Sequence, residues 1–97
     1  MTPADVQELA SVRAEIEAVD ATIVAALAQR MALARAVRGV KARAGQPVLD
    51  PAREADVVAR VGARARAAGL PEDDVRALYW HIMAMARRTQ LSIPKSE

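Results

Sequence analysis

The sequence predicts an all-α protein of three helices, one long and two shorter. Three observations predict it. Apolar residues recur in three- and four-residue steps over long stretches, the spacing of one helical face. Glycine and proline cluster at Gly45-Gln46-Pro47 and Gly69-Leu70-Pro71, dividing the chain into three segments. No stretch alternates polar and apolar residues as a half-buried strand would, and 23 of the 97 residues are alanine, the strongest helix former.

The first segment opens at Thr2-Pro3, a helix-capping residue followed by a first-turn proline, with Asp5 suited to the positive end of the helix dipole. Its apolar positions are Leu9, Val12, Ile16, Val19, Ile23, Leu27, Met31, Ala34 and Val37, close to a heptad seam. Nothing breaks that pattern before Gly39, so the helix is ~40 residues and ~60 Å long. Asp50-Pro51 starts the second helix in the same manner, and Val57, Val58 and Val61 follow. It ends near Ala68-Gly69, with Gly69 in the left-handed conformation that closes many helices. The third begins at Leu70-Pro71, where Glu72, Asp73 and Asp74 complement the dipole. Val75, Leu78, Ile82 and Met85 are expected to form its inner stripe, with Trp80 at a subunit contact, and Pro94 to close it.

Composition bounds the rest. Residues 1–97 read as a single domain, and no apolar run approaches the ~18 residues of a membrane span. Met1-Thr2-Pro3-Ala4-Asp5 lacks the basic-then-apolar profile of a secretory leader, and the chain has no cysteine, so a cytoplasmic location is expected. The hydrophobic fraction of 53% overstates the core, because so much of it is alanine, phenylalanine is absent, and Tyr79 and Trp80 are the only aromatics. Such small side chains bury little area in a chain of this length, so oligomerisation is expected, by long helices pairing with a second copy. Net charge is +2, and Arg35, Arg38 and Arg43 read as a solvated helix face rather than a nucleic-acid stripe. The lone histidine, His81, has no partners at metal-ligand spacing, and Gly39 belongs to no phosphate loop.

Arg13, Arg30, Lys41, Arg53 and Gln90, with the carboxylates Asp50 and Glu54, belong to no nucleophile, metal or nucleotide motif. Their order fits a small dianionic substrate handled by charge placement alone, without metal or cofactor. Arg30 and Lys41 are eleven residues apart, three helical turns, and share a face. Arg13 lies seventeen residues before Arg30, ~25 Å along the axis and on another face, so one small ligand cannot touch both within one straight helix. An antiparallel copy crossing near residues 21 to 23 removes the contradiction by bringing Arg13 of one chain beside Arg30 of the other.

From about Leu9 to Gln90 the chain resembles the all-helical, type II chorismate mutases. The matching pieces are Val12-Arg13 with Ile16 and Asp20, then Leu27, Arg30 and Met31, then Val40-Lys41, Pro47-Val48, Asp50, Arg53-Glu54 and Thr89-Gln90. The resemblance implies an intertwined, antiparallel all-α homodimer that rearranges chorismate to prephenate. It further implies that Arg13 of the neighbouring chain and Arg30 clamp the substrate carboxylates with help from Arg53. Lys41 and Gln90 would donate to the ether oxygen, and Glu54 and the Asp50 region would hold the ring hydroxyl. An intramolecular Claisen rearrangement suits such residues, since it needs only a folded substrate and donors placed where negative charge develops. Asp20 reads as structural.

One position departs from the family pattern. A serine commonly stands four residues before the glutamine, and here that position is Ala86, so a bond to a substrate carboxylate is missing or supplied by a neighbour such as Arg87. A mutase acting on the 4-amino analogue of chorismate and an isochorismate pyruvate lyase therefore stay open beside the chorismate reading. Glu54 argues against the lyase. Outside enzymes, a helical dimerisation or regulatory module would account for the seam but gives no reason for the charged set.

Overall fold

The computed structural model describes residues 1–91, which form three α-helices: α1 (Pro3–Arg43), α2 (Pro51–Ala67) and α3 (Glu72–Leu91). There is no strand among the described residues. Pro94, expected to close the third helix, lies outside them. None of the three helices is long and apolar enough to cross a membrane.

Local chemistry sets each boundary. At the start of α1, the Thr2 amide donates to Asp5 Oδ2 at 2.9 Å and the Asp5 amide donates to Thr2 Oγ1 at 3.1 Å, a reciprocal cap that satisfies two amides otherwise left bare. The bond from the Thr2 amide, seconded by the Thr2 side chain, holds the Asp5 carboxyl below the ordinary carboxylate range. The far end closes through Gly45, at φ 69°, while the Gln46 amide reaches back to the Lys41 carbonyl at 2.8 Å. The same device ends α2, where Gly69 takes φ 75° and the Leu70 amide bonds the Ala65 carbonyl at 2.9 Å. Asp50 caps α2 by accepting the Arg53 amide at 3.0 Å, with Pro51 in the first turn. In α3 the first helical bond is accepted by the Pro71 carbonyl, from the Val75 amide at 3.1 Å, so the helix proper starts one residue after that proline.

The chain divides into two compact units, Met1–Ala32 and Leu33–Glu97. The first is a stretch of α1. Leu9, Ile16 and Ile23 recur every seven residues with Val12 and Val19 between them, and all five expose between 36% and 58% of their surface. A helical stripe of this kind finds nothing to pack on within its own unit.

The second unit holds the last part of α1 together with α2 and α3, and its core lies between the two shorter helices. Val58, Gly62 and Ala65 are buried from α2, and Ile82, Met83 and Ala86 from α3. Gly62 is a point of close approach: a β-carbon there would run into the Arg76 side chain of α3. This sets the rotation of α3 and corrects the expected stripe. Leu78 lies two residues from Arg76, hence on nearly the opposite side of the helix, and is 56% exposed. The inner face passes instead through Val75, Tyr79, Ile82, Met83 and Ala86. Glu72 ties the connection between the helices. It accepts Arg66 through both oxygens at 3.1 Å and Arg76 at 2.7 Å. The Arg66 bonds in particular hold the Glu72 carboxyl below the usual range.

Candidate active site

Six of the eight residues singled out in the sequence belong to the second unit: Lys41, Asp50, Arg53, Glu54, Ala86 and Gln90. Lys41 stands in the last turn of α1, where its Nζ donates to the Val48 carbonyl at 3.3 Å and draws the connecting loop back onto the helix end. A single long bond to a neutral carbonyl is a modest anchor. The ammonium has two further donors to offer a ligand.

Asp50, as the cap of α2, fixes the first turn that carries Arg53 and Glu54. These neighbours then diverge. The Arg53 guanidinium leans towards Asp56 at 3.6 Å, with 58% of its side chain exposed, while Arg60 makes the tighter contact with that aspartate at 2.7 Å. Exposed pairs of this kind hold loosely, so Arg53 remains available to an anion. Glu54 faces the other way, only 17% exposed, and takes Arg87 of α3 onto its Oε1 at 2.5 Å.

One turn beyond Arg87, the Gln90 amide donates from Nε2 to the Ala34 carbonyl of α1 at 3.1 Å. The end of α3 therefore reaches Glu54 at the start of α2 through one side chain and the last third of α1 through another. Ala86 is buried between the shorter helices at 8% exposure and presents no polar atom. The structure thus brings Glu54 of α2, through its bond to Arg87, to the same end of α3 that carries Gln90, ties Lys41 to the loop that leads into α2, and directs Arg53 outward. Arg13 and Arg30 belong to the first unit. By helical spacing Arg13 stands one turn from both Leu9 and Ile16, beside the open stripe, and Arg30 continues the seven-residue series of Leu9, Ile16 and Ile23.

The residue that the sequence left in a minor role is Arg87. Its signal was available: it precedes Gln90 by three positions, on the same face, and stands next to the alanine that replaces the usual polar group.

A family model for type II chorismate mutases matches residues 12–91 of the chain. The chain belongs to the type II chorismate mutase family. The match begins one residue before Arg13 and ends one residue after Gln90, so it spans all eight residues. The chain is also similar to the T-protein of Enterobacter agglomerans, at 36% identity over 78 residues, which is 80% of this chain and 21% of that protein. It therefore spans about a fifth of the length of this curated relative. No solved structure matches the chain.

Proposed function

We propose that this chain is a chorismate mutase, rearranging chorismate to prephenate as a single catalytic domain in an antiparallel homodimer. The observation that carries the reading is the family match across residues 12–91, which covers every charged residue the reaction calls for. The arrangement of Glu54, Arg87 and Gln90 at one end of the second unit supports it.

The chemistry requires no nucleophile. The substrate must fold its enolpyruvyl arm over the ring, and the breaking ether bond must be relieved of negative charge. Arg30 and the second copy's equivalent of Arg13 clamp the two carboxylates, a task that suits the planar, bidentate guanidinium. Arg53 turns from Asp56 to assist. Lys41 leaves the Val48 carbonyl and Gln90 the Ala34 carbonyl to donate to the ether oxygen. Glu54 accepts the ring hydroxyl, and Asp50 holds the turn that presents it. No proton changes hands in this scheme.

The open stripe of the first unit supports the dimer. Burying Leu9, Val12, Ile16, Val19 and Ile23 against the first helix of a second copy contributes on the order of 1 kcal/mol apiece. Its seven-residue repeat is the spacing of a paired helix. A two-fold axis near residues 21 to 23 sets Arg13 of one copy beside Arg30 of the other and generates two equivalent composite sites.

The test is incubation of the purified protein with chorismate and, separately, with isochorismate, followed by chromatography of the products. Prephenate from chorismate is expected. Salicylate and pyruvate from isochorismate as the main products would make the chain a lyase. Silence on both substrates would leave a mutase for the 4-amino analogue or a non-catalytic helical module.

A further inference from the structure

Resting on the mutase reading above, we propose that Arg87 is a specificity-determining residue, pairing with Glu54 so that the site accepts a neutral ring hydroxyl and disfavours a ring ammonium. The pair joins residues 33 positions apart on different helices, at 2.5 Å, with Glu54 only 17% exposed. Partial burial matters, because a charge with little water around it feels its neighbours strongly.

A carboxylate alone at this position would favour a cationic substituent, since charge-assisted hydrogen bonds are the stronger ones. With Arg87 in place, that preference inverts. The guanidinium occupies Oε1, and an ionised carboxylate has roughly four acceptor positions, so capacity remains for one more donor. A hydroxyl uses it without conflict. An ammonium would set a second positive charge beside the Arg87 guanidinium around a single carboxylate. The preceding residue reinforces the effect: Ala86 is buried and apolar, so it adds no acceptor to compensate a second cation. Arg87 therefore acts through Glu54, and its effect is confined to the substituent that Glu54 holds.

The two substrates that separate these cases are chorismate, with a ring hydroxyl, and its 4-amino analogue, whose amine carries a positive charge near neutral pH. The experiment compares kcat/KM for both, in the full chain and in Arg87→Met, Arg87→Gln and Arg87→Lys, with circular dichroism to check folding. The full chain is expected to prefer chorismate. Arg87→Met and Arg87→Gln should each lower the chorismate-to-amine ratio about tenfold, the scale of a partly screened charge pair. Arg87→Lys should restore most of the ratio.

A merely structural role would depress both substrates alike and leave the ratio unmoved in the neutral variants, which would overturn the proposal. If Arg87→Met does not fold, Arg87→Gln, which keeps a neutral polar side chain, carries the comparison. A wild-type preference for the amine overturns the proposal while leaving a mutase. Absence of turnover with either substrate overturns the mutase reading, and this inference with it.

Discussion

Lys41 illustrates what the proposed site asks of a single residue. Its ammonium is held by one bond to the Val48 carbonyl, long at 3.3 Å, so it is poised near the loop without being consumed by it. A point charge that acts only where charge develops should affect the chemical step more than substrate binding. Lys41→Ala is therefore expected to lower kcat on the order of 10²–10³-fold, the usual cost of removing one such donor, with the far-ultraviolet circular dichroism unchanged. Turnover that persists undiminished would remove Lys41 from the mechanism. The identities and order of Lys41, Glu54 and Gln90 were legible in the sequence, but their bonding partners were not. The Arg87 to Glu54 bond spans 33 positions and the Gln90 to Ala34 bond spans 56, so both depend on how α3 is rotated against its neighbours.

Among the elements, ends were more legible than faces. Asp50-Pro51 and Gly69 announced the limits of α2 because capping and left-handed closure are local chemistry, settled within a few residues. The inner face of α3 was misjudged by including Leu78, since its rotation follows from Gly62 admitting the Arg76 side chain, a contact between helices. Gly62→Leu should lower the melting temperature by pushing the two shorter helices apart, whereas Leu78→Ala should leave it nearly unchanged in a monomeric sample. Asp50→Ala removes the cap of α2 and is expected to cost about 1 kcal/mol in denaturant unfolding.

Glu72 adds a pH dependence at the connection between α2 and α3. Its carboxyl is held below the ordinary value of 4.5 by Arg66 first, with Arg76 contributing. A depressed folded-state value means that the folded form releases the proton more readily than the unfolded one. The stabilisation is thus fully present above 4.5 and is lost as pH falls through the lower folded-state value. Glu72→Gln should lower the melting temperature at neutral pH, and the gap from wild type should close on acidification. A gap that stays constant with pH would show that the carboxylate charge contributes nothing.

At the scale of the whole molecule the account turns on the open stripe of the first unit. The sequence pointed to a second copy through the small core that alanine provides and through the mismatch between Arg13 and Arg30, and the exposure of Leu9, Ile16 and Ile23 agrees with that need. In the proposed dimer the stripe is covered by a second copy, a contact that no pattern within one chain spells out. Ile16→Glu is expected to shift the protein to monomer in sedimentation experiments and to abolish turnover at the same time, since every composite site is then incomplete.

The most direct measurement mixes two inactive variants, Arg13→Ala and Arg30→Ala, unfolded together and refolded so that subunits exchange. If each site takes Arg13 from one copy and Arg30 from the other, half of the dimers are mixed and one of the two sites in each is whole. Chorismate consumption should then return to about a quarter of the wild-type rate. A mixture as inactive as its components, despite proven subunit exchange, would contradict the composite site.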